Sequence, residues 1–165
     1  MNYLSLQMID MPQQIYWTAS VAVVAIGLTI MGWFIREGVV TSSIYEQGIK
    51  LYQEKDYKGA EVAFRQTISR HPSNDAARLL LGDSLMQQDK IEEASAAFQE
   101  LIDRAPKNVD AYMRLGMALV RQDKLEEAIA TLKQTRDLFK AQRNNHKAEQ
   151  IDQLLQEIST QQSLI

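Results

Sequence analysis

The chain has 165 residues, a formal net charge of -3 and a pI near 5.4, with 45% hydrophobic and 24% charged residues. It contains no cysteine and only two histidines, which excludes disulfides and cysteine nucleophiles and disfavours a metal site built from histidines. The acidic balance disfavours a nucleic-acid-binding protein, and the low proline and glycine content with ample apolar residues disfavours disorder.

Charged residues are distributed unevenly along the chain. Residues 1–35 contain no Lys or Arg and a single acid, Asp10, whereas the other 38 charged residues lie in 36–165. After a short N-terminal segment, residues 1–11, residues 12–35 are uncharged, and 21 residues of this run would rise about 30 Å as a helix, the thickness of a bilayer's hydrocarbon core. Aromatic residues stand at both ends, Tyr16 and Trp17 at one and Trp33 at the other. We therefore predict a transmembrane helix over 12–35.

Two other interpretations of the apolar run are disfavoured. A cleaved signal peptide needs a basic leading region, which residues 1–10 lack. A buried soluble helix would need a surrounding core that the rest of the chain, accounted for below, does not supply. The basic residues Arg36, Lys50, Lys55 and Lys58 follow the run, so the positive-inside rule predicts that the C-terminal region faces the cytoplasm or the stroma. Residues 36–40 are predicted to be a linker, and so short a connection would hold the next domain within about 20 Å of the membrane.

A repeat of 34 residues follows the linker. Units at 41–74, 75–108 and 109–142 share residue types in register, and the segments QDKIEEA at 88–94 and QDKLEEA at 122–128 are nearly identical. The positions in register are Gly48, Gly82 and Gly116; Tyr57, Ile91 and Leu125; Ala60, Ala94 and Ala128; Phe64, Phe98 and Leu132; and Pro72 with Pro106.

Each unit has the pattern of two helices joined by a turn. Asp89 and Asp123 are predicted to cap the second helices, and each Gly, with the Ala twelve residues later, removes bulk where two helices touch. Pro72 and Pro106 should end the second helices because the residue before a proline is pushed out of the helical region.

The period and the placed small, aromatic and proline residues resemble the tetratricopeptide repeat, a helix–turn–helix unit of about 34 residues. The sequence departs from that pattern at the position of the first-helix Trp, where it has Ile44, Arg78 and Tyr112, and at the third closing proline, where it has Lys140. We therefore expect the last repeat helix to run to about Gln142. The resemblance implies an all-α fold: a single transmembrane helix followed by a three-unit α-solenoid, with a C-terminal capping helix and tail in 143–165. The capping helix is expected near 146–159, with one apolar face formed by Ala148, Ile151, Leu154, Leu155 and Ile158.

The resemblance also implies a concave groove lined by the first helices of successive units. Its predicted positions are largely apolar and rich in Met, which suits an adaptable surface for an apolar segment. For Ile49, Leu79 and Val120, packing against neighbouring helices is an equally good interpretation. The groove positions are Tyr45, Ile49, Tyr52, Leu79, Asp83, Met86, Met113, Met117 and Val120.

Family members that hold the carboxylate tails of chaperones carry Lys, Asn and basic residues at defined groove positions. The matching positions here are Tyr45, Ile49, Leu80, Asp110 and Arg114. Only Arg114 fits, so we predict that the groove does not bind such tails.

A second surface feature is a basic stripe with helical spacing, which would lie on one helix face for as long as the helix continues. It would suit acidic headgroups or an acidic partner loop, although such a run is more often only a solvated face. Its members are Lys133, Arg136, Lys140, Arg143 and Lys147.

No enzymatic constellation is found. The paired acids Glu92–Glu93 and Glu126–Glu127 recur at predicted helix starts, which favours a capping role over general acid–base chemistry. We predict a non-enzymatic scaffold that binds protein clients and takes no cofactor, metal, small-molecule substrate or nucleic acid.

The layout of one N-terminal anchor and three repeats resembles the tetratricopeptide proteins of cyanobacterial and plastid thylakoids that assist photosystem I assembly. That resemblance implies a thylakoid location and binding to photosystem I subunits or assembly intermediates. Two alternatives remain open: an organelle or envelope receptor for targeting peptides, and an envelope quality-control or cytochrome-maturation protein with its repeats outside the cytoplasm.

Overall fold

The structure is a computed structural model that describes the backbone of residues 13–162 and the side chains of 20–36 and 42–160. The chain divides into two compact units between Ser42 and Ser43. Each helix from α2 to α6 packs against the helix that follows it. The helices in the described residues are α1 (Gln13–Gln53), α2 (Tyr57–Arg70), α3 (Asp75–Gln87), α4 (Ile91–Arg104), α5 (Val109–Arg121), α6 (Leu125–Ala141) and α7 (Asn145–Gln162).

The first unit contains the apolar part of α1. Between Val21 and Ile35, ten large apolar side chains are between 51% and 69% exposed. None of the described helices combines the length and the apolarity that crossing a bilayer would require. The predicted span, 12–35, begins before these residues. The side chains of 12–19 lie outside the described residues, as do residues 1–11. The backbone of 36–40, predicted to be a linker, is helical within α1.

Four helices of the second unit begin at a side-chain cap, and at the start of α7 the Asn144 side-chain oxygen accepts from the Lys147 backbone N–H at 3.3 Å. The carboxylate of Asp56 accepts a hydrogen bond from the Gly59 backbone N–H at 3.0 Å. Asn74 and Asn108 do the same at the starts of α3 and α5. Each cap satisfies one backbone N–H that has no partner within its own helix.

The prediction that Asp89 and Asp123 cap α4 and α6 is wrong. The N-cap residues are Lys90 and Lys124, and neither makes a side-chain cap hydrogen bond. Asp89 and Asp123 instead have φ angles of 63° and 60°, the left-handed conformation that ends the preceding helix. Asp tolerates this conformation better than most residues, so the same residue type suits the end of one helix as well as the start of the next.

The turn at Asp89 has the hydrogen bonds of a Schellman motif. The Asp89 N–H donates to the Met86 carbonyl at 3.2 Å, and the Lys90 N–H donates to the Leu85 carbonyl at 3.0 Å. The same pattern closes the helices before the other three residues with positive φ in the described part of the chain, Lys55, Asp123 and Arg143.

The predicted close approach of paired helices at the repeated glycines is confirmed. A Cβ added at Gly48 would lie 2.7 Å from the Phe64 ring, and one at Gly116 would lie 2.8 Å from Leu132. These distances are too short for non-bonded carbon atoms, so only glycine lets the two helices pack this closely.

The two prolines end the helices before them, as predicted. His71 and Ala105, which precede Pro72 and Pro106, have φ angles of -127° and -130° and serve as the C-caps of α2 and α4.

In two units, the residue at the position of the repeat pattern's Trp forms a polar pair with a residue of the second helix. Arg78, only 3% exposed, donates through Nε to Glu100 Oε1 at 3.1 Å and through a terminal nitrogen to the Pro72 carbonyl at 2.9 Å. One period later Tyr112 takes the place of Arg78, and Gln134 takes the place of Glu100 and donates to the Tyr112 hydroxyl at 3.2 Å. Both members change together, so the contact between the two helices of a unit is kept.

The C-terminal helix covers the end of the repeat array. α6 ends at Ala141 with Gln142 as its C-cap, close to the predicted end. Ala148, Ile151, Leu155 and Ile158 are buried in a cluster that includes side chains of α5 and α6, and Leu154 is half-buried against it. This is the capping role that the sequence predicts, because a terminal repeat would otherwise expose an apolar face.

Candidate protein-binding groove

A cavity of about 290 Å³ lies where the first helices of the three units meet. It is lined by the C-terminal part of α1, by α3 and by α5, whose lining residues recur at helical spacing, as in Asp83, Met86 and Gln87. We call this cavity the groove. Its lining residues are Tyr52, Asp83, Met86, Gln87, Met113, Arg114 and Met117.

Five of the nine residues predicted for the groove line the cavity: Tyr52, Asp83, Met86, Met113 and Met117. Their part in binding stays a prediction.

The other four predicted residues lie outside the cavity lining. Tyr45, Ile49, Leu79 and Val120 are half-buried and pack against the core cluster, and the Tyr45 ring lies 6.1 Å from that of Phe64. Their contacts in this structure are therefore those of packing residues.

An ion pair lies within the groove. Arg114 Nε donates to Asp83 Oδ1 at 2.6 Å, and the side chains of Arg114 and Asp83 are 28% and 16% exposed. Burial raises the pKa of Asp83 although Arg114 opposes the shift. Burial and the nearby Asp83 also raise the pKa of Tyr52, so its hydroxyl stays protonated at neutral pH.

Sequence analysis did not include Gln87 or Arg114 among the predicted groove residues, although it matched Arg114 to a basic groove position of chaperone-binding family members. Arg114 follows Asp83 by 31 residues, three fewer than the repeat period. This spacing places the two side chains on facing surfaces of adjacent first helices. That spacing is the signal that could have identified the pair. Because Arg114 is already paired, it offers less free charge to a partner than the sequence alone indicates.

The apolar surface of the groove comes mainly from methionines. Met117 is 49% exposed, while Met86 and Met113 are half-buried. Methionine side chains are flexible and polarisable, and they adapt to apolar groups of different shapes. The groove therefore offers an apolar, deformable surface beside one internal ion pair.

The basic stripe does not lie on a single helix, because α6 ends at Ala141. Arg143 has a φ of 59° in the turn that follows, and Lys147 lies on α7 with its Nζ 5.3 Å from the centre of the Phe139 ring.

Acids neutralise part of the stripe. Arg136 pairs with Asp137 at 2.9 Å and with Asp152 at 3.2 Å, and Lys140 lies 3.8 Å from Asp152. Lys133, also on α6, is exposed. The stripe is therefore a helix–helix contact in part, and its role in binding stays a prediction.

Comparison with known proteins identifies the repeat. A tetratricopeptide repeat model matches residues 79–142, and a second tetratricopeptide repeat model matches residues 51–106. No match is found among curated protein sequences.

Several solved structures are similar. The TPR2B domain of yeast Sti1, solved in a complex with pHsp70, is 25% identical over 73% of this chain and 97% of that one, with a TM-score of 0.68. The Arabidopsis OM64 TPR domain is 20% identical over 71% of this chain and 94% of that one, with a TM-score of 0.63. The Yersinia enterocolitica type III secretion translocator chaperone SycD is 15% identical over 74% of this chain and 85% of that one, with a TM-score of 0.69. The last two likenesses show the shared fold.

Proposed function

Because the chain is a tetratricopeptide repeat protein, we propose that it is a non-catalytic scaffold that binds a protein client in the groove. The observation that carries this proposal is the cavity between the first helices of the three units, with its exposed Met117 beside the half-buried Met86 and Met113. The Sti1 domain, similar over most of its length, was solved in a complex with pHsp70. That complex supports the binding of a protein partner by repeats of this fold.

The client segment that the groove suits best is apolar. The pairing of Arg114 with Asp83 leaves the groove without a cluster of free cations for a carboxylate tail. An apolar side chain would instead gain about 25 cal/mol for each Å² of surface it buries against the methionines. We therefore propose an amphipathic helix or extended apolar segment as the ligand.

The groove proposal is tested with the double variant Met113→Glu/Met117→Glu in the full chain. Two carboxylates in the groove should abolish co-purification of the client because an apolar segment cannot pair with them. The control is Val62→Glu, which introduces one carboxylate at an exposed residue of α2 outside the groove. Circular dichroism should show unchanged helicity for both variants, and undiminished client binding by the double variant would refute the groove.

We further propose that residues 12–35 anchor the protein in a membrane, with the repeats on the cytoplasmic or stromal side. The support is the uncharged run of the sequence and the exposure of every large apolar side chain described between Val21 and Ile35. So much exposed apolar surface on one helix is costly in water and needs a lipid or protein environment. Alkaline extraction of native membranes tests the anchor: the chain should stay in the pellet, and its release would contradict the proposal.

For the client, we propose photosystem I subunits or assembly intermediates at the thylakoid membrane. The support is the resemblance in layout to thylakoid tetratricopeptide proteins, with an apolar run immediately before three repeats. Affinity purification from native membranes followed by mass spectrometry tests it, with the Met113→Glu/Met117→Glu variant as the matched bait. Enrichment of photosystem I subunits by the unmodified chain alone would support the role. Targeting peptides or envelope proteins in their place would favour the receptor or quality-control alternatives.

A further inference from the structure

A charged cluster spans the contact between the first and second repeat units. Glu61 Oε2 accepts hydrogen bonds from Lys90 Nζ at 2.8 Å and from Gln88 Nε2 at 2.9 Å, and Glu61 Oε1 accepts one from Arg65 Nε at 2.9 Å. A second nitrogen of Arg65 pairs with Glu93 at 2.9 Å. Burial raises the pKa of Glu61, but the hydrogen bonds outweigh it and the pKa falls to about 2.

One period of 34 residues later, three of the five residues of this cluster are kept and two are replaced. Gln122, Lys124 and Glu127 are identical to their counterparts Gln88, Lys90 and Glu93, whereas Ser95 and Gln99 stand in place of Glu61 and Arg65. The two residues that were replaced are the ones that α2 contributes, a carboxylate and, four residues later, a guanidinium.

An open cleft lies at the corresponding place between the second and third units, and we call it the inter-unit cleft. Its volume is about 450 Å³. Gln122 still donates to Ser95 Oγ at 2.6 Å, but within the described residues neither Lys124 Nζ nor the Glu127 carboxylate has a hydrogen-bond or ion-pair partner. The residues that define the cleft are Ser95, Gln99, Leu115, Leu119, Lys124 and Glu127.

We propose that the inter-unit cleft is a second protein-binding site, which recognises a partner helix carrying a Glu and, four residues later, an Arg. The Glu would pair with Lys124 and the Arg with Glu127, as Glu61 and Arg65 pair with Lys90 and Glu93 one unit earlier. Lys124 and Glu127 lie at defined positions of the cleft, so the order of the two charges on the partner helix matters. Charge-assisted hydrogen bonds of this kind depend on correct geometry. The aliphatic stems of the two partner side chains would lie over Leu115 and Leu119.

The site is independent of the groove. The groove is lined by α1, α3 and α5, whereas the inter-unit cleft is lined by α4, α5 and α6 and by the turn before α6. A partner could therefore engage both surfaces, and two weak contacts on one partner reinforce each other through effective concentration.

The test is a chemical-shift titration of the ¹⁵N-labelled full chain in detergent micelles. The probe is an alanine-rich helical peptide, blocked at both termini, with one Glu–Arg pair at the same spacing as Glu61 and Arg65, and the matched peptide has Gln for Glu. We expect saturable shifts at the Lys124 and Glu127 amides. Lys124→Gln should weaken binding about threefold, the scale of one exposed ion pair, while Lys133→Gln, outside the cleft, should not.

The double variant Ser95→Glu/Gln99→Arg introduces, between the second and third units, the Glu and Arg that α2 contributes between the first and second units. It should fold at least as stably as the unmodified chain and no longer bind the probe, because its own side chains occupy the cleft. Met113→Glu/Met117→Glu should bind the probe normally, which separates this site from the groove. The proposal is overturned if the rebuilt variant binds the probe as tightly as the unmodified chain does, or if the unmodified chain binds the Gln peptide as tightly as the probe. The absence of saturable shifts up to about 5 mM peptide would also overturn it.

Discussion

Replacing Glu61 with Gln should weaken the contact between the first two units measurably. The substitution keeps the size of the side chain but removes the charge that Lys90, Gln88 and Arg65 surround. A folded-state pKa of about 2 against the ordinary 4.5 corresponds to an upper bound of about 3.4 kcal/mol. The Lys90 and Arg65 side chains are 40% and 50% exposed, so solvent screening should reduce the loss to about 1 to 2 kcal/mol.

The assay is urea unfolding of both proteins in micelles, followed by circular dichroism. Because the pKa of Glu61 is lower in the folded chain, its stabilisation is complete above the unfolded-state value of about 4.5 and is lost as the pH falls towards 2. The difference in unfolding free energy should therefore be full at pH 7 and less than half as large at pH 3. Glu93→Gln, whose side chain is 55% exposed, is the control and should lose about 0.5 kcal/mol or less. Equal differences at the two pH values would refute the electrostatic explanation.

Two further substitutions test the turns and the helix contacts. Lys55→Gly should raise the free energy of unfolding by about 0.5 to 1 kcal/mol because glycine adopts the φ of 63° at this position without strain. The control, Lys55→Ala, keeps the strain. An equal gain in unfolding free energy from Lys55→Ala, measured by urea unfolding, would contradict this reasoning. Gly82→Ala should lower stability by about 1 to 3 kcal/mol because the new methyl group would collide with the Phe98 ring. At Gly27 an added Cβ meets nothing within 4 Å, so Gly27→Ala is the matched control, and a similar loss of Tm in both variants would exclude the collision as the cause.

The helix pairs of the second unit could be predicted because their determinants repeat. A 34-residue period fixes which glycine faces which aromatic residue, and Gly48 against Phe64 follows from the register alone. Proline acts locally on the residue before it, so the helix ends at His71 and Ala105 also follow from the sequence.

Other features depend on choices that local patterns leave open. Asp89 carries a side chain suited to capping, but the left-handed conformation that ends α3 places it in the turn, one residue before the N-cap Lys90. The basic stripe has helical spacing, yet the turn at Arg143 divides it between two helices. In the groove, Arg114 meets Asp83 across two units, a contact that a pattern read within one unit does not reveal.

The polar pairs differ in whether they lie within a unit or between two units, and this sets which rearrangements the chain would tolerate. Arg78 and Glu100 belong to the same unit, so a gene duplication or shuffling event that moves whole units would carry them together as one exchangeable cassette. Glu61 and Lys90 belong to consecutive units and would be separated by the same event. The contact between the first two units therefore depends on which unit follows the first, whereas the Arg78–Glu100 contact depends only on its own unit.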